Sequence, residues 1–298
     1  MNARHARGGV LALAVFAALS AASTVNAASQ DDARVAALET RITELESRLA
    51  AADLIAERAR DRGEIENVFA HYMYLHNAFQ DEKIKVLWAK RGTPGVSAQY
   101  SNVGVYTDYD KIMTYHSGRP TPTGKLVFHY ITTPMIEVAE DGQTAKGVWI
   151  AAGVESGLMS PEQAATAPDF LFEKGERTGN EVHGKRVWAH WVQMKYPVDF
   201  IRQDGQWKIW HFRCLEISRA RFDQNWIATA AEIQDNTKNS QFNADLMYLG
   251  NDGKPVFMPK PDGPPKSLAY PYRPDAAMDH DMPPLPVPYR TFSETFEY

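Results

Sequence analysis

Apolar residues recur at spacings of three and four along the first third of the chain. In DDARVAALETRITELESRLA the apolar positions are Val35, Leu38, Ile42, Leu45 and Leu49. Such spacing places the side chains on one stripe of an α-helix, and nearly three heptads are typical of a coiled coil. The pattern predicts a coiled-coil stem over residues 30–60 that joins copies of the chain. A solvated linker helix that packs on its own domain is the alternative.

A second amphipathic helix follows without a clear break. In GEIENVFAHYMYLHNAF the residues Ile65, Phe69, Tyr72 and His76 recur at helical spacing. His76 is therefore expected on the buried face, one turn beyond Tyr72. Further short helices are predicted over residues 81–88 and 108–116, with strand or loop between them.

In the middle of the chain the pattern changes to that of β-strands. The predicted strands cover residues 125–133, 136–139, 145–154, 186–202 and 206–217. Asp141-Gly142 and Asp204-Gly205 are hairpin turn signals, because Asp-Gly suits the positive backbone angles of a two-residue turn. Residues 156–184 form a long insertion that is a candidate lid or rim.

The first of these strands carries a histidine at its centre. In KLVFHYITTP, alternation places His129 on one face with Val127 and Ile131, while apolar or aromatic residues also occupy the other face. Neither face looks suited to water, and Pro134 is expected to end the strand. His129 is therefore either a hydrogen-bonded core residue or a group that faces an enclosed pocket.

The second turn signal predicts the register of the last hairpin. With a two-residue turn, Tyr196 faces Arg213 and Val198 faces His211. One face of the hairpin is then mostly apolar and sets Tyr196, His211 and Arg213 beside one another. That face is the expected wall of a cavity, although a β-bulge in the hairpin would break the register.

Composition and charge restrict the classes of function. Residues 1–27 show a basic start, an apolar run of about a dozen residues and small residues ending at Ala27, which is the pattern of a secretory signal peptide. Its removal leaves 30 Lys+Arg against 37 Asp+Glu, a formal charge of −7, which argues against a nucleic-acid partner. The single cysteine, Cys214, allows neither an internal disulfide nor a cysteine-based metal site. We expect a periplasmic or secreted protein with no membrane span after cleavage.

The predicted elements form an α+β plan, in which helices close a cavity against an antiparallel sheet. The Pro-rich, aromatic C-terminal part is expected to be an extended arm that wraps its own domain or a neighbouring subunit. The predicted organisation is a signal peptide, a coiled-coil helix, an α+β domain and a C-terminal arm, over residues 1–27, 30–60, 61–235 and 236–298.

Three segments of the chain resemble a known family. They are FAHYMYLHNAF on the helix, FHYITTPMIEVAEDGQTAKGVWI on the strands and DFIRQDGQWKIWHF on the last hairpin. They are similar to the SnoaL-like branch of the NTF2-like superfamily, which includes scytalone dehydratase, polyketide cyclases and ketosteroid isomerase. The resemblance implies an NTF2-like cone over residues 63–223. It also implies cofactor-independent acid–base chemistry on a small aromatic or polycyclic compound.

The resemblance also suggests roles for individual residues. It implies that His129 is an acid/base residue and that Tyr100 polarises a substrate oxygen. The chain departs from the family at two places. His76-Asn77 stands at the helix end where the family usually offers an aspartate, and Trp149 stands in place of a second catalytic histidine.

The expected site combines the resemblance with the predicted faces. The candidate catalytic residues are His129, His76 and Tyr100, since an imidazole can carry a proton at working pH without a cofactor. The candidate substrate-binding residues, which could donate hydrogen bonds or close the cavity, are Tyr72, Trp149, Tyr196, His211 and Arg213. The histidines without a motif, expected to be surface or structural, are His71, His116, His183 and His190.

These expectations favour an exported lyase, dehydratase or isomerase that needs no metal and no organic cofactor. Retro-aldol cleavage or deformylation of a phenolic compound would use the same groups. Two alternatives remain, a periplasmic protein that binds a small molecule without changing it and an envelope assembly protein that depends on the stem. A small hydrophobic substrate and a homo-oligomer, either dimer or trimer, are the expected partners.

Overall fold

The computed structural model describes residues 8–101, 103–117, 124–159, 180–182, 185–221, 225–227, 247–249, 255–265, 274–275 and 283–293. The chain divides into two compact units, Met1–Ala59 and Arg60–Tyr298. His183, residues 1–7 of the predicted signal peptide and most of the predicted lid insertion lie outside the described residues.

Helix α1 spans Gly8–Asn77, so the predicted stem and the following amphipathic helix are one continuous helix. Within the first unit, the stripe of five apolar residues that begins at Val35 and ends at Leu49 is 50–62% exposed. Pairing of this stripe with another helix therefore stays a prediction. In the described part of the chain, no helix carries an apolar stretch long enough to cross a bilayer.

The helical part of the second unit begins with the C-terminal end of α1. Ile65, Phe69, Tyr72 and His76 are all buried there, which confirms the predicted inner face. A short helix, α2 (Asp81–Ile84), continues as a 3-10 turn over Lys85–Leu87. Helix α3 spans Tyr109–Ser117.

One large sheet supplies the β part of the second unit. Its strands are β1 (Ser97–Tyr100), β2 (Val105–Tyr106), β3 (Leu126–Val138), β4 (Thr144–Met159), β5 (Asn180–Val182), β6 (Lys185–Gln203) and β7 (Gln206–Arg221). The order is β2-β1-β7-β6-β4-β3, with β5 paired to β6, and only the β1–β7 pair is parallel among the described strands. A separate small hairpin joins β8 (Met247–Leu249) and β9 (Pro255–Phe257). The inner face of the large sheet packs on the end of α1, which confirms the α+β class.

Strand β3 continues through Pro134, so the expectation that this proline ends the strand is wrong. The register with β4 shifts between Thr132 and Met135, and Thr133 adopts a positive φ of 50°. An edge strand tolerates this irregularity, because a proline there need not donate a ladder hydrogen bond. The two strands predicted on either side of Pro134 are therefore one.

The two faces of β3 differ more than the sequence predicted. His129 is buried on the inner face, whereas Leu126, Phe128 and Tyr130 on the outer face are about half exposed, at 47–54%. The expectation that neither face of β3 meets water is therefore wrong for the outer face of this chain. Nothing among the described residues covers that end of the sheet.

The last hairpin keeps its predicted register only near the turn. Phe200 pairs with Ile209, but a shift between Asp199 and Phe200 then pairs Asp199 with His211. Because side chains alternate with a period of two, a shift of one residue moves every later side chain of one strand to the other face. His211 and Arg213 consequently lie on the outer face, away from Tyr196, and the predicted grouping of these three residues is wrong.

The described parts of the C-terminal arm pack on the second unit itself. The main-chain N–H of Glu140, at the β3–β4 turn, donates to the carbonyl oxygen of Tyr289 at 2.9 Å. Further along the arm, the ring of Phe292 lies 4.6 Å from that of Trp210 on β7. Tyr289 and Phe292 also cover the buried Lys146. This part of the arm thus shields charged groups of the outer face from water.

Candidate active site

His129 lies at the centre of a polar cluster on the inner face of the sheet. Its side chain is 5% exposed, and its Nε2 atom lies 2.9 Å from Oε1 of Glu155 on β4. The opposite residue on β4 is Gly153. A Cβ atom at Gly153 would lie 2.5 Å from Cδ2 of His129, so glycine is needed there for the imidazole to cross β4 towards Glu155.

Glu155 binds a second histidine and an arginine. Its Oε2 atom lies 2.9 Å from Nε2 of His190 on β6 and 2.8 Å from a guanidinium nitrogen of Arg219 on β7. Arg219 also donates to Glu216 at 2.8 Å. We call these five residues, His129, Glu155, His190, Arg219 and Glu216, the Glu155 cluster.

The cluster determines the charges of its carboxylate and its guanidinium. Burial alone would raise the pKa of Glu155, but the charge of Arg219 and the hydrogen bonds from His129 and His190 outweigh it and hold this pKa well below its usual range. Burial alone would lower the pKa of Arg219, yet the charges of Glu155 and Glu216 raise it well above its usual range. Glu155 is therefore ionised at neutral pH.

An ionised Glu155 also fixes which nitrogen of the neighbouring imidazole faces it as a donor. A carboxylate only accepts hydrogen bonds, so Nε2 of His129 carries a proton, and in the neutral imidazole Nδ1 then holds the lone pair. Nδ1 is buried and has no hydrogen-bond partner among the residues that the structure describes. In the neutral imidazole this nitrogen is able to accept a proton.

Helix α1 brings a second imidazole to the first. The ring of His76 lies 5.5 Å from that of His129, and its Nδ1 is 3.2 Å from Oδ1 of Asp81. Tyr72 stacks on His76 with ring centroids 6.2 Å apart. The structure therefore brings three of the predicted site residues together, each from the element expected to hold it.

Tyr100 lies farther along the inner face and is already engaged. Its hydroxyl is 3.0 Å from Nε2 of His116, which also accepts the indole N–H of Trp88 at 3.1 Å. Its ring stacks on that of Tyr115 at 3.7 Å. The buried His116 is thus part of an internal hydrogen-bond network, as a structural histidine is. A catalytic role of Tyr100 stays a prediction.

Trp149 and Tyr196 belong to the aromatic core beneath the cluster. Both contact Phe69, with ring centroids 4.4 Å and 5.5 Å away. The hydroxyl of Tyr196 donates to Sδ of Met194 at 3.3 Å. Burial is the main cause that raises the pKa of Tyr196 well above its usual range, so this phenol stays protonated. Their contact with a substrate stays a prediction.

The structure does not bring His211 and Arg213 to His129. On the outer face, Nδ1 of His211 lies 2.8 Å from Oδ2 of the buried Asp199. The guanidinium of Arg213 donates to Oγ of Ser97 at 3.0 Å and to the carbonyl oxygen of Phe212 at 2.9 Å. Both side chains are held by structural hydrogen bonds on the far side of the sheet.

Sequence reasoning missed Glu155, Arg219 and the part played by His190. The alternation of β6 carries a usable signal, since His190 has the same parity as Tyr196 and therefore shares its face. A second histidine beside Glu155 thus comes from β6, while Trp149 lies in the aromatic core. Among the described residues, no group of three or more His, Cys, Asp or Glu side chains is arranged to hold a metal ion.

Cys214 is expected to be unreactive in the native protein. Its thiol is buried, and burial raises its pKa to about 12, although a hydrogen bond with Tyr196 opposes the shift. The thiolate is the reactive form, so iodoacetamide at pH 8 should leave native protein unlabelled and should label it fully in denaturant. Mass spectrometry measures both states. Labelling of the native protein at the rate of a free thiol would contradict the burial described here.

Comparison with known families identifies one match. Residues 57–213, more than half of the chain, match the model of the SnoaL-like domain. No curated protein matches the chain.

Solved structures with a similar fold are distant in sequence. A candidate scytalone dehydratase from Novosphingobium aromaticivorans is 12% identical with a TM-score of 0.39, and the alignment covers 57% of this chain and 93% of that one. Hexachlorocyclohexane dehydrochlorinase LinA-type3 from Novosphingobium barchaimii LL02 is 12% identical with a TM-score of 0.38, covering 57% and 95%. A Mycobacterium tuberculosis protein of unknown function is 16% identical with a TM-score of 0.37, covering 63% and 85%.

Proposed function

We propose that this chain, which belongs to the SnoaL-like domain family, is a cofactor-independent lyase or isomerase in which His129 moves the proton. The observation that carries the proposal is the pair of the buried His129 with the partly buried Glu155, in which Nδ1 of His129 has no hydrogen-bond partner among the described residues. An imidazole fixed by a carboxylate on one side and unengaged on the other is the arrangement of a general base.

The proposed reaction begins when Nδ1 of His129 takes a proton from a carbon atom of the substrate. The imidazolium that forms is stabilised by Glu155, which stays ionised because its pKa is low. In an elimination, the electron pair of the broken C–H bond forms the new double bond. The leaving group departs with its own electron pair and takes a proton from His76, which enters the step as the imidazolium. After product release, His129 loses its proton to water and His76 regains one. In an isomerisation, the proton returns to a different atom of the same molecule.

A small hydrophobic, aromatic or polycyclic compound is the proposed substrate class. Tyr72 stacks on His76 and joins it to an aromatic cluster, since the ring of Tyr72 lies 5.0 Å from Phe212 and 5.8 Å from Phe69. Such rings bind flat apolar molecules and exclude water, which strengthens electrostatic effects on a reacting group. Water loss, retro-aldol cleavage and deformylation are the reaction subtypes that suit this setting.

Turnover in deuterated water tests the proposed reaction. The full chain is incubated without added cofactor with a panel of phenolic, diaryl and steroid-like compounds, and products are resolved by mass. Loss of water or formaldehyde, or an isomer that has gained deuterium from solvent, is the expected result. If compounds bind and return unchanged and without deuterium, the protein is a binding module and the proposal is wrong. Heat-denatured protein controls for spontaneous exchange.

We also propose that the protein is exported, on the strength of the signal-peptide pattern in residues 1–27. A protease-accessibility assay on intact and permeabilised cells tests this proposal. If the protein still resists the protease after only the outer membrane of the cells has been permeabilised, the proposal of export is wrong.

A second copy of the chain is the proposed occupant of the open outer face of the sheet. Phe128 and Trp191 there are each 54% exposed and flank Val154 in one row across three strands. Replacing both with glutamate should lower the assembled mass by at least half, because two charges would be buried without partners. Light scattering after size exclusion measures that mass. The control is Tyr74→Glu, which places the same charge at an exposed aromatic residue of α1. An unchanged mass for the double variant would assign the oligomer contact elsewhere.

A further inference from the structure

We propose that Asn77 is a positioning residue that holds His129 in its reactive place, an inference that rests on the proposed function. Asn77 is the last residue of α1. Its side-chain Nδ2 donates to the carbonyl oxygen of His129 at 2.6 Å, and the N–H of His129 donates to its Oδ1 at 3.0 Å. A single amide side chain thus pairs with both main-chain groups of the proposed base.

The place of His129 in the sheet explains why it needs this contact. Strand β3 lies at the edge of the sheet and has a neighbouring strand, β4, on one side only. The N–H and C=O groups of His129 point to the open side, where Asn77 meets them. The amide therefore acts as a neighbouring strand one residue long, at the residue where movement would matter most.

Two further contacts complete the restraint on His129. Its ring crosses Gly153, whose missing Cβ leaves the space that the imidazole occupies. Its Nε2 is held by Glu155. Because the main chain, the ring plane and Nε2 of His129 are all fixed, the direction in which Nδ1 points is fixed as well.

The same helix end also carries the second imidazole. His76 precedes Asn77 directly, so the contact between Asn77 and His129 sets the 5.5 Å distance between the two histidine rings. A substrate that exchanges protons with both rings depends on that distance. Displacement of a reacting group by about 1 Å can lower a rate about a hundredfold.

The chemistry of the contact favours asparagine over its closest isostere. The side chain must donate to a carbonyl oxygen and accept from an N–H, and an amide does both. An aspartate of the same shape keeps the acceptor but places a second oxygen against the carbonyl of His129. Asn77→Asp is therefore a shape-conserving test, and Asn77→Ala removes both bonds.

Hydrogen exchange tests the restraint without any substrate. We expect the backbone amide of His129 to exchange at least about tenfold faster in Asn77→Ala than in the wild-type full chain, because its acceptor is lost, and to be less affected in Asn77→Asp, which keeps that acceptor. In nitrogen-15 histidine spectra, the wild type should show His129 protonated at Nε2, and the variants should show broadened or mixed signals. The same substitutions at the exposed Asn225 are the controls. Unchanged exchange and spectra in the Asn77 variants would overturn the proposal, whatever the turnover.

Kinetics separate positioning from a merely structural role. For a substrate found in the turnover panel, kcat should fall about 10- to 100-fold in both variants, with KM changed less than about threefold. A loss of thermal stability with unchanged kcat in the remaining folded protein would overturn the proposal. Failure of the proposed function would show differently, as full turnover without His129, and would leave the hydrogen-exchange result intact.

Discussion

Replacing His129 with glutamine should lower turnover about a thousandfold and leave the fold intact, since positioned acid–base groups contribute about 10²- to 10⁴-fold to rates. The glutamine amide can still donate to Glu155, so that carboxylate keeps a hydrogen-bond partner. What the variant lacks is a nitrogen that takes up a proton. The change should therefore appear in kcat, measured under saturating substrate, far more than in the melting temperature.

An exposed histidine on α1 provides the control. His71 lies on the exposed side of α1, directly before the buried Tyr72, and His71→Gln should keep full turnover. If His129→Gln also keeps full turnover, His129 is not the base, and the His129–Glu155 pair is a structural hydrogen bond. Saturable ligand binding that survives both substitutions would then favour a binding protein.

Replacing Glu155 with alanine should destabilise the second unit by about 1–3 kcal/mol, because a partly buried charge pair loses one partner. Arg219 would keep Glu216 but lose the carboxylate that it shares with the two histidines. Denaturant unfolding monitored by tryptophan fluorescence measures the loss. Glu82→Ala removes a carboxylate from the exposed pair with Lys85 and should change the stability little, since exposed pairs contribute little.

The stability of Glu155 variants should also differ in its dependence on pH. The pKa of Glu155 is lower in the folded protein than its ordinary value of 4.5. Its contribution to the free energy of unfolding is therefore fully present above pH 4.5 and is lost as the pH falls towards the lowered folded-state pKa. In Glu155→Gln this part of the acid-induced decrease in the free energy of unfolding should be absent. Equal acid slopes for the wild type and the variant would show that Glu155 is not held ionised by its neighbours.

Helical and alternating periodicities were sufficient to predict the elements that carry the site. The spacing of Ile65, Phe69 and Tyr72 placed His76 on the buried face of α1, because residues three and four apart share one side of any helix. Alternation in KLVFHYITTP likewise placed His129 on the face opposite to Phe128 and Tyr130, although it did not tell which of the two faces is buried. Both conclusions depend only on local backbone geometry, which neighbouring residues determine.

The partners of His129 could not be obtained in this way. Glu155 comes from β4, His190 from β6 after a long insertion, and Arg219 from β7. They meet because of the registers between strands, and a single irregularity alters such a register. At Asp199 the shift moved His211 and Arg213 to the outer face, against the prediction from the turn.

The sequence by itself determined the helices, most strands, the family resemblance and the strand face to which His129 belongs. The tertiary structure decided that this face is the buried one, which carboxylate pairs with His129, which histidine shares that carboxylate and that Asn77 caps the edge of β3. The physical reason is the range of the interactions. Periodicity depends on residues that are close together in the sequence. Hydrogen bonds between distant segments form only after bulges, strand edges and helix ends have placed their partners within 3 Å.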